Sequence, residues 1–240
     1  MTAESMVFVF VLVIAAGFFA LNVQRLVRFL RVGRDLGRLD HPWQRVWNVL
    51  RVGIAQQKIL RDPVAGPMHA FIFWGFLVIT AGTIELMVRG LVPGFTYAAY
   101  LPHRVFQLYA LSQDVFAALV VAAVAFAFFR RLVLHPKRLD GDNTHHGDAY
   151  FILAMIGGLM VTLLLLFAAE FVVDPASIGP EKFITRIVAA TFVGMSPQTA
   201  ATVAQVNWWL HILLVLFFLN YLPYSKHLHV VTSLFNVFFS

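Results

Sequence analysis

Long apolar runs broken by short polar or basic stretches set the pattern of this chain. Five of them approach about 20 residues, the length at which a helix crosses a hydrocarbon layer of about 30 Å. They fall near residues 5–29, 67–90, 108–130, 149–172 and 203–225. Asp114, near the start of the third, makes that run the least clean. Two shorter stretches have helical apolar spacing but are too polar to span. In HPWQRVWNVLRVGIAQQKIL, the residues Trp43, Val46, Trp47, Leu50, Ile54 and Leu60 share a face opposite Arg and Gln. This reads as an amphipathic helix on the cytoplasmic membrane surface, either merely covering the bundle floor or docking a partner. Phe183, Ile184, Ile187, Val188 and Phe192 mark a second one. SPQTAAT predicts a helix start, with Ser196 as N-cap and Pro197 at the first position. The expected fold is all-α and integral to the membrane: one domain over residues 1–240 with five transmembrane helices and amphipathic surface helices.

Composition agrees. Hydrophobic residues make up 60% of the chain and charged residues 12%, against roughly a quarter charged in a soluble domain. No signal-peptide cleavage site follows the first apolar run, which reads as a retained span. The net charge of +6 is distributed by topology and does not point to nucleic acid. Of the 18 Lys and Arg residues, only Arg89, Arg104, Lys182 and Arg186 fall on one side of the predicted spans. The rest lie between Arg25 and Arg61, between Arg130 and Arg138, or at Lys226. The positive-inside rule then puts the N-terminus outside and the C-terminus in the cytoplasm. The absence of cysteine excludes disulfides, iron–sulfur clusters and thiolate metal sites within this chain. Redox chemistry here needs a cofactor held by histidine.

Histidines occur where an apolar chain has least use for them. NWWLHILLVLFFLNYLPYSKHLHV carries His211, His227 and His229. On an unbroken helix His211 and His229 share a face and stand about 27 Å apart, close to the hydrocarbon thickness. His227 lies about 200° round from His229 and should not face the same cofactor. Pro223 bends the helix and makes the shared face approximate. On the second span, His69 sits just inside the cytoplasmic end, level with His229. Two neutral imidazoles from different helices are an axial ligand set for a b-type haem. Gly66, Gly75 and Gly82 would let a flat macrocycle or a neighbouring helix come close. One haem is expected between His69 and His229. A second, outer haem or a quinone would use His211 with His103; otherwise His211 hydrogen-bonds within the bundle. Lys226, Arg61 and Tyr224 have the depth to meet haem propionates. Glu85 and Asp114 are candidates for proton relay, whereas Glu170 reads as solvation at a span end. His145 and His146 in LDGDNTHHGDA read as loop residues, not as a metal site.

LHILLVLFFLNYLPYSKHLHVVTS resembles the last transmembrane helix of the respiratory nitrate reductase gamma subunit. The shared pattern is His211, an apolar run, the group Pro223, Tyr224, Ser225, Lys226, and then His229. RDPVAGPMHAFIFWGF and LPYSKHLHVVTSLFNVFF resemble more closely the membrane cytochrome of heterodisulfide reductase and the membrane region of electron-transfer-flavoprotein:menaquinone oxidoreductases. The resemblance implies a cytoplasmic-side haem b on His69 and His229. It also implies electron exchange between menaquinone and a cytoplasmic, cysteine-rich iron–sulfur subunit or C-terminal module, with electron-transfer flavoprotein as a further partner. Quinone reduction is the implied direction. The chain departs from the nitrate reductase pattern at Ile79, where a second histidine would stand. On this reading it is an electron-transfer component of a respiratory quinone oxidoreductase, not a complete enzyme alone. The alternatives are a haem-free anchor that docks a soluble redox enzyme, and a small transporter lined by Asp114 and Glu85.

Overall fold

The computed structural model describes residues 2–31, 40–135 and 146–240, apart from the side chains of residues 29, 30, 146 and 226. No strand occurs among the described residues. Helices α1 (Ala3–Leu30), α3 (Ala65–Leu91), α4 (His103–Phe129), α5 (His146–Val173) and α7 (Pro197–Tyr221) form the bundle. Five helical stretches are long and apolar enough to cross a membrane: Ala3–Arg28, Ala65–Leu91, His103–Leu134, Gly147–Val173 and Pro197–Tyr224. These match the five runs expected from the pattern, with the third and fifth starting earlier.

The helices run up and down, as paired ends show. At one end Glu4 of α1 accepts from Gln205 and Trp209 of α7, and Arg89 of α3 pairs with Glu170 of α5 at 2.7 Å. At the other, Tyr221 of α7 donates to Asp148 of α5 (2.7 Å) and Tyr224 to Asn22 of α1 (2.6 Å). The second end carries Arg45, Arg51, Arg61, Arg130 and Arg131 and is called the basic end below. The basic residues of 32–39 and 136–145, with His145, lie outside what is described, whereas His146, read from the sequence as loop, opens α5.

α5 packs along α7 and α4, and α4 along α3. The core contains Ile79, Val120, Leu163, Leu166, Trp208, Ile212 and Leu216. A Cβ on Gly75 would collide with Val120, and one on Gly82 with Gln113. These two glycines therefore let α3 and α4 approach closely, the second of the two uses expected for them. Outward faces carry large exposed apolar residues such as Phe10, Phe18, Leu108 and Phe217, a surface suited to lipid.

Local chemistry fixes the helix ends. The Asp62 carboxylate accepts from the amides of Val64 (3.0 Å) and Ala65 (2.8 Å) at the start of α3, satisfying donors that have no partner inside the helix. Ser196 caps α7 through the amide of Thr199 (3.1 Å), with Pro197 following, as the SPQT stretch predicts. α7 stops at Tyr221, because Pro223 has no N–H and its ring crowds the carbonyl four residues back. Two 3-10 turns, Leu222–Tyr224 and Lys226–Leu228, then lead into α8 (His229–Phe239). The helix is thus not continuous from His211 to His229, and the shared-face argument does not apply.

The expected amphipathic helix is α2 (Pro42–Asn48), continued as a π-helical stretch Val49–Ile54. No residue of α2 is buried; Trp43, Val46, Trp47 and Leu50 point outward. The segment is tied down by Trp74, whose indole donates to Ile54 O at 2.8 Å. It also packs against α8. Arg45 donates to Phe238 O (2.8 Å) and pairs with Asp40 (2.7 Å). That ion pair, through the Arg45 guanidinium, holds the Asp40 carboxyl below its ordinary value. The second short amphipathic helix is α6 (Phe183–Ala189).

Candidate functional site

At the basic end His69 is the fifth residue of α3 and His229 the first residue of α8. Their ring centroids are 6.1 Å apart and their planes meet at 42°. Two imidazoles on opposite sides of one metal need about 2 Å per metal–nitrogen bond and about 1 Å from each nitrogen to its ring centre, about 6 Å in all. His69 Nδ1 is buried and has no hydrogen-bond partner among the described residues. A buried polar atom without a partner is costly, so this ring has capacity for a ligand. His229 is exposed, which puts the pair at the edge of the bundle and leaves one side open. Among the described residues, no group of three or more His, Asp or Glu residues is arranged to hold a bare metal ion. The pair could hold a metal that brings its other ligands with it, as haem iron does. The residues present fit that group.

A third imidazole joins them. His227 lies 5.4 Å from His229, at 80°, and 5.4 Å from the buried ring of Phe218. The expectation that His227 faces away assumed α-helical phase, but residues 226–228 form a 3-10 turn, and its backbone brings both rings to one side. Burial first, and then the neighbouring His229 and His69, push His227 down to about 4. It is neutral near pH 7.

His211 has a different environment. It is wholly buried (0% exposed). Its Nδ1 lies 3.1 Å from Leu159 O and 3.2 Å from Thr162 Oγ1, and its Nε2 lies 3.4 Å from Thr83 Oγ1. The Leu159 carbonyl can only accept, so Nδ1 is the protonated nitrogen and Nε2 accepts from Thr83. Both ring nitrogens are engaged, tying α3, α5 and α7 together. The structure does not bring His103 to His211. His103 is the exposed first residue of α4. It precedes by ten residues, roughly 15 Å of helix, the Gln113 that meets Gly82 beside Thr83. Ile79 is buried in the core.

Asp114, Glu85 and Tyr224 have structural partners. Asp114 is buried and accepts from the amides of Ile184 (2.7 Å) and Thr185 (2.9 Å) and from the Thr185 hydroxyl (2.6 Å). It caps α6 from across the bundle. Glu85 accepts from Thr96 Oγ1, the Tyr97 amide and the Tyr109 hydroxyl at 2.7–2.9 Å, closing the turn between α3 and α4. Beside them Lys182 Nζ sits 3.4 Å from the centre of the Phe167 ring. Burial pushes its ammonium below the ordinary lysine value, against the raising influence of Glu170, Glu85 and Asp114. The Tyr224 hydroxyl is used by Asn22. Arg61 is exposed in the 3-10 turn Ile59–Arg61 next to the start of α3. The Lys226 side chain lies outside what is described.

Comparison with known proteins adds a context. No family model matches the chain, and no solved structure matches it. It is 28% identical over 239 residues to a protein of Bacillus subtilis (strain 168) named probable iron-sulfur-binding oxidoreductase FadF. It is 26% identical over 245 residues to the EtfAB:quinone oxidoreductase of Syntrophomonas wolfei subsp. wolfei. Both are oxidoreductases. The alignments cover 99% and 98% of this chain but 33% of each relative, so the chain spans about a third of the curated relatives it matches. Neither name speaks of haem or of nitrate reductase, and that part of the resemblance rests on the residues alone.

Proposed function

We propose that the chain is a membrane cytochrome b module that passes electrons between an iron–sulfur oxidoreductase module and menaquinone, in the direction of quinone reduction. Its basic end faces the cytoplasm of a bacterial or archaeal cell, where an electron-transfer flavoprotein feeds the iron–sulfur module. The observation that carries this reading is the His69–His229 pair, 6.1 Å between ring centres on two separate helices. Haem iron held there would supply a one-electron relay beside the membrane surface.

The residues of the chain divide the work. His69 and His229 present imidazole nitrogens from two elements, so ligation depends on the registration of α3 with α8. Asp62 secures the start of α3, and Arg45 holds the far end of α8 against α2. Phe218 backs the cluster on its buried side. Two similarities support the redox partners, one to an iron-sulfur-binding oxidoreductase and one to an EtfAB:quinone oxidoreductase.

The test is optical. Purified protein reduced with dithionite should show the Soret and α bands of a b-type haem, and a soluble menaquinone analogue should reoxidise it. A haem that no naphthoquinone reoxidises would sink the quinone half of the proposal. Protein without haem, even when haem is supplied during expression, would sink the cytochrome half.

A further inference from the structure

His227 has no part in the function proposed above, yet it is held as firmly as the pair it adjoins. The buried Ser225 hydroxyl accepts the His227 amide (3.0 Å), and the Leu228 amide donates to Ser225 O (3.2 Å). These bonds fix the direction in which the His227 side chain leaves the 3-10 turn. One side of the ring packs on Phe218, a member of the bundle core, at 5.4 Å and 60°; another stands edge-on to His229 at 5.4 Å and 80°. A line of ring contacts thus runs from the core of α7 through His227 to His229, and from there to His69. His229 is exposed, at the first residue of a helix, and the torsion that turns a histidine ring has a broad, roughly two-fold profile.

We propose that His227 is a positioning residue, a wedge between Phe218 and His229 that sets the plane of the His229 imidazole relative to that of His69. This rests on the reading of His69 and His229 as an axial pair. Edge-to-face packing is the favoured arrangement for neighbouring rings, and it holds the His229 plane without taking part in ligation. The wedge also keeps water from the buried side of the pair, and exclusion of water is one of the levers on a haem potential.

The test compares wild type with His227→Ala and His227→Phe by three measurements: haem content, low-spin ferric electron paramagnetic resonance and midpoint potential. The largest g value of a bis-imidazole haem reports the angle between the two ring planes. The wedge predicts that His227→Ala keeps its haem but shows a displaced, broadened g signal and a lowered potential, because water enters. His227→Phe refills the space with a ring that has no nitrogen, and should return both readouts towards wild type. An unchanged g value and potential in His227→Ala would overturn the wedge. So would loss of haem from His227→Phe, since the ring nitrogen would then be what matters. Those outcomes leave the axial pair standing, whereas wild-type protein without haem removes the pair and the wedge together.

Discussion

His211 and His69 are both histidines on apolar helices, and the bundle treats them in opposite ways. His211 is enclosed, with Thr83, Thr162 and the Leu159 carbonyl around both nitrogens. His69 keeps a buried nitrogen without a partner among the described residues and faces another imidazole. A polar side chain inside a membrane helix is costly unless it is satisfied, and the two sites meet that demand differently. His211 is satisfied by the protein and acts as a pin between three helices. On the proposed function, His69 is satisfied by a bound group. Position in an apolar run does not separate the two histidines; the state of the ring nitrogens does.

The comparison can be broken most severely at the basic end. His69→Ala or His229→Ala should abolish haem binding, read as loss of the Soret band in purified protein, while His211→Ala keeps the band. His211→Ala should instead lower stability by about 2 kcal/mol, through a buried cavity and the loss of its contacts to Thr83, Thr162 and Leu159, as measured by unfolding in mixed micelles. Asp114→Ala removes the cap of α6 and should cost about 1–2 kcal/mol with an unchanged haem spectrum; altered quinone turnover without loss of stability would restore Asp114 as a proton carrier. Thr83→Val or Thr162→Val should each cost about 0.6 kcal/mol, the usual size of one polar contact between membrane helices. The smallest effect belongs to Asp40. Its folded value lies below the ordinary one, so its pairing with Arg45 contributes above the unfolded carboxylate pKa and is lost as pH falls through the folded one. Asp40 is exposed, and Asp40→Asn should leave the melting temperature almost unchanged at neutral pH.

The sequence pattern shows the five long helices because length and apolarity alone decide them. It also shows the start of α7, where Ser196 and Pro197 are local signals, and the short helices α2 and α6. Facing relationships across a break were not legible. Periodicity assumed one helix from His211 to His229, but Pro223 ends α7 and two 3-10 turns reset the phase, turning His227 towards His229. Pro223 was the available signal, and it weighs more than a bend. The partners of Asp114 and Glu85 were hidden for another reason. Both carboxylates look like relay groups along their own helices, but their donors come from residues 11 to 71 positions away, a distance over which spacing carries no information. The small residues of α3 were open to two uses, and only packing against Val120 and Gln113 shows which one Gly75 and Gly82 serve.

The central claim is that the His69–His229 pair, and not the enclosed His211, holds the cofactor. A pyridine-haemochrome determination on purified wild type, His69→Ala, His229→Ala and His211→Ala tests it most directly. The account predicts about one b-type haem per chain in wild type and in His211→Ala, and none in the other two. Haem retained in His69→Ala or lost in a folded His211→Ala would contradict it.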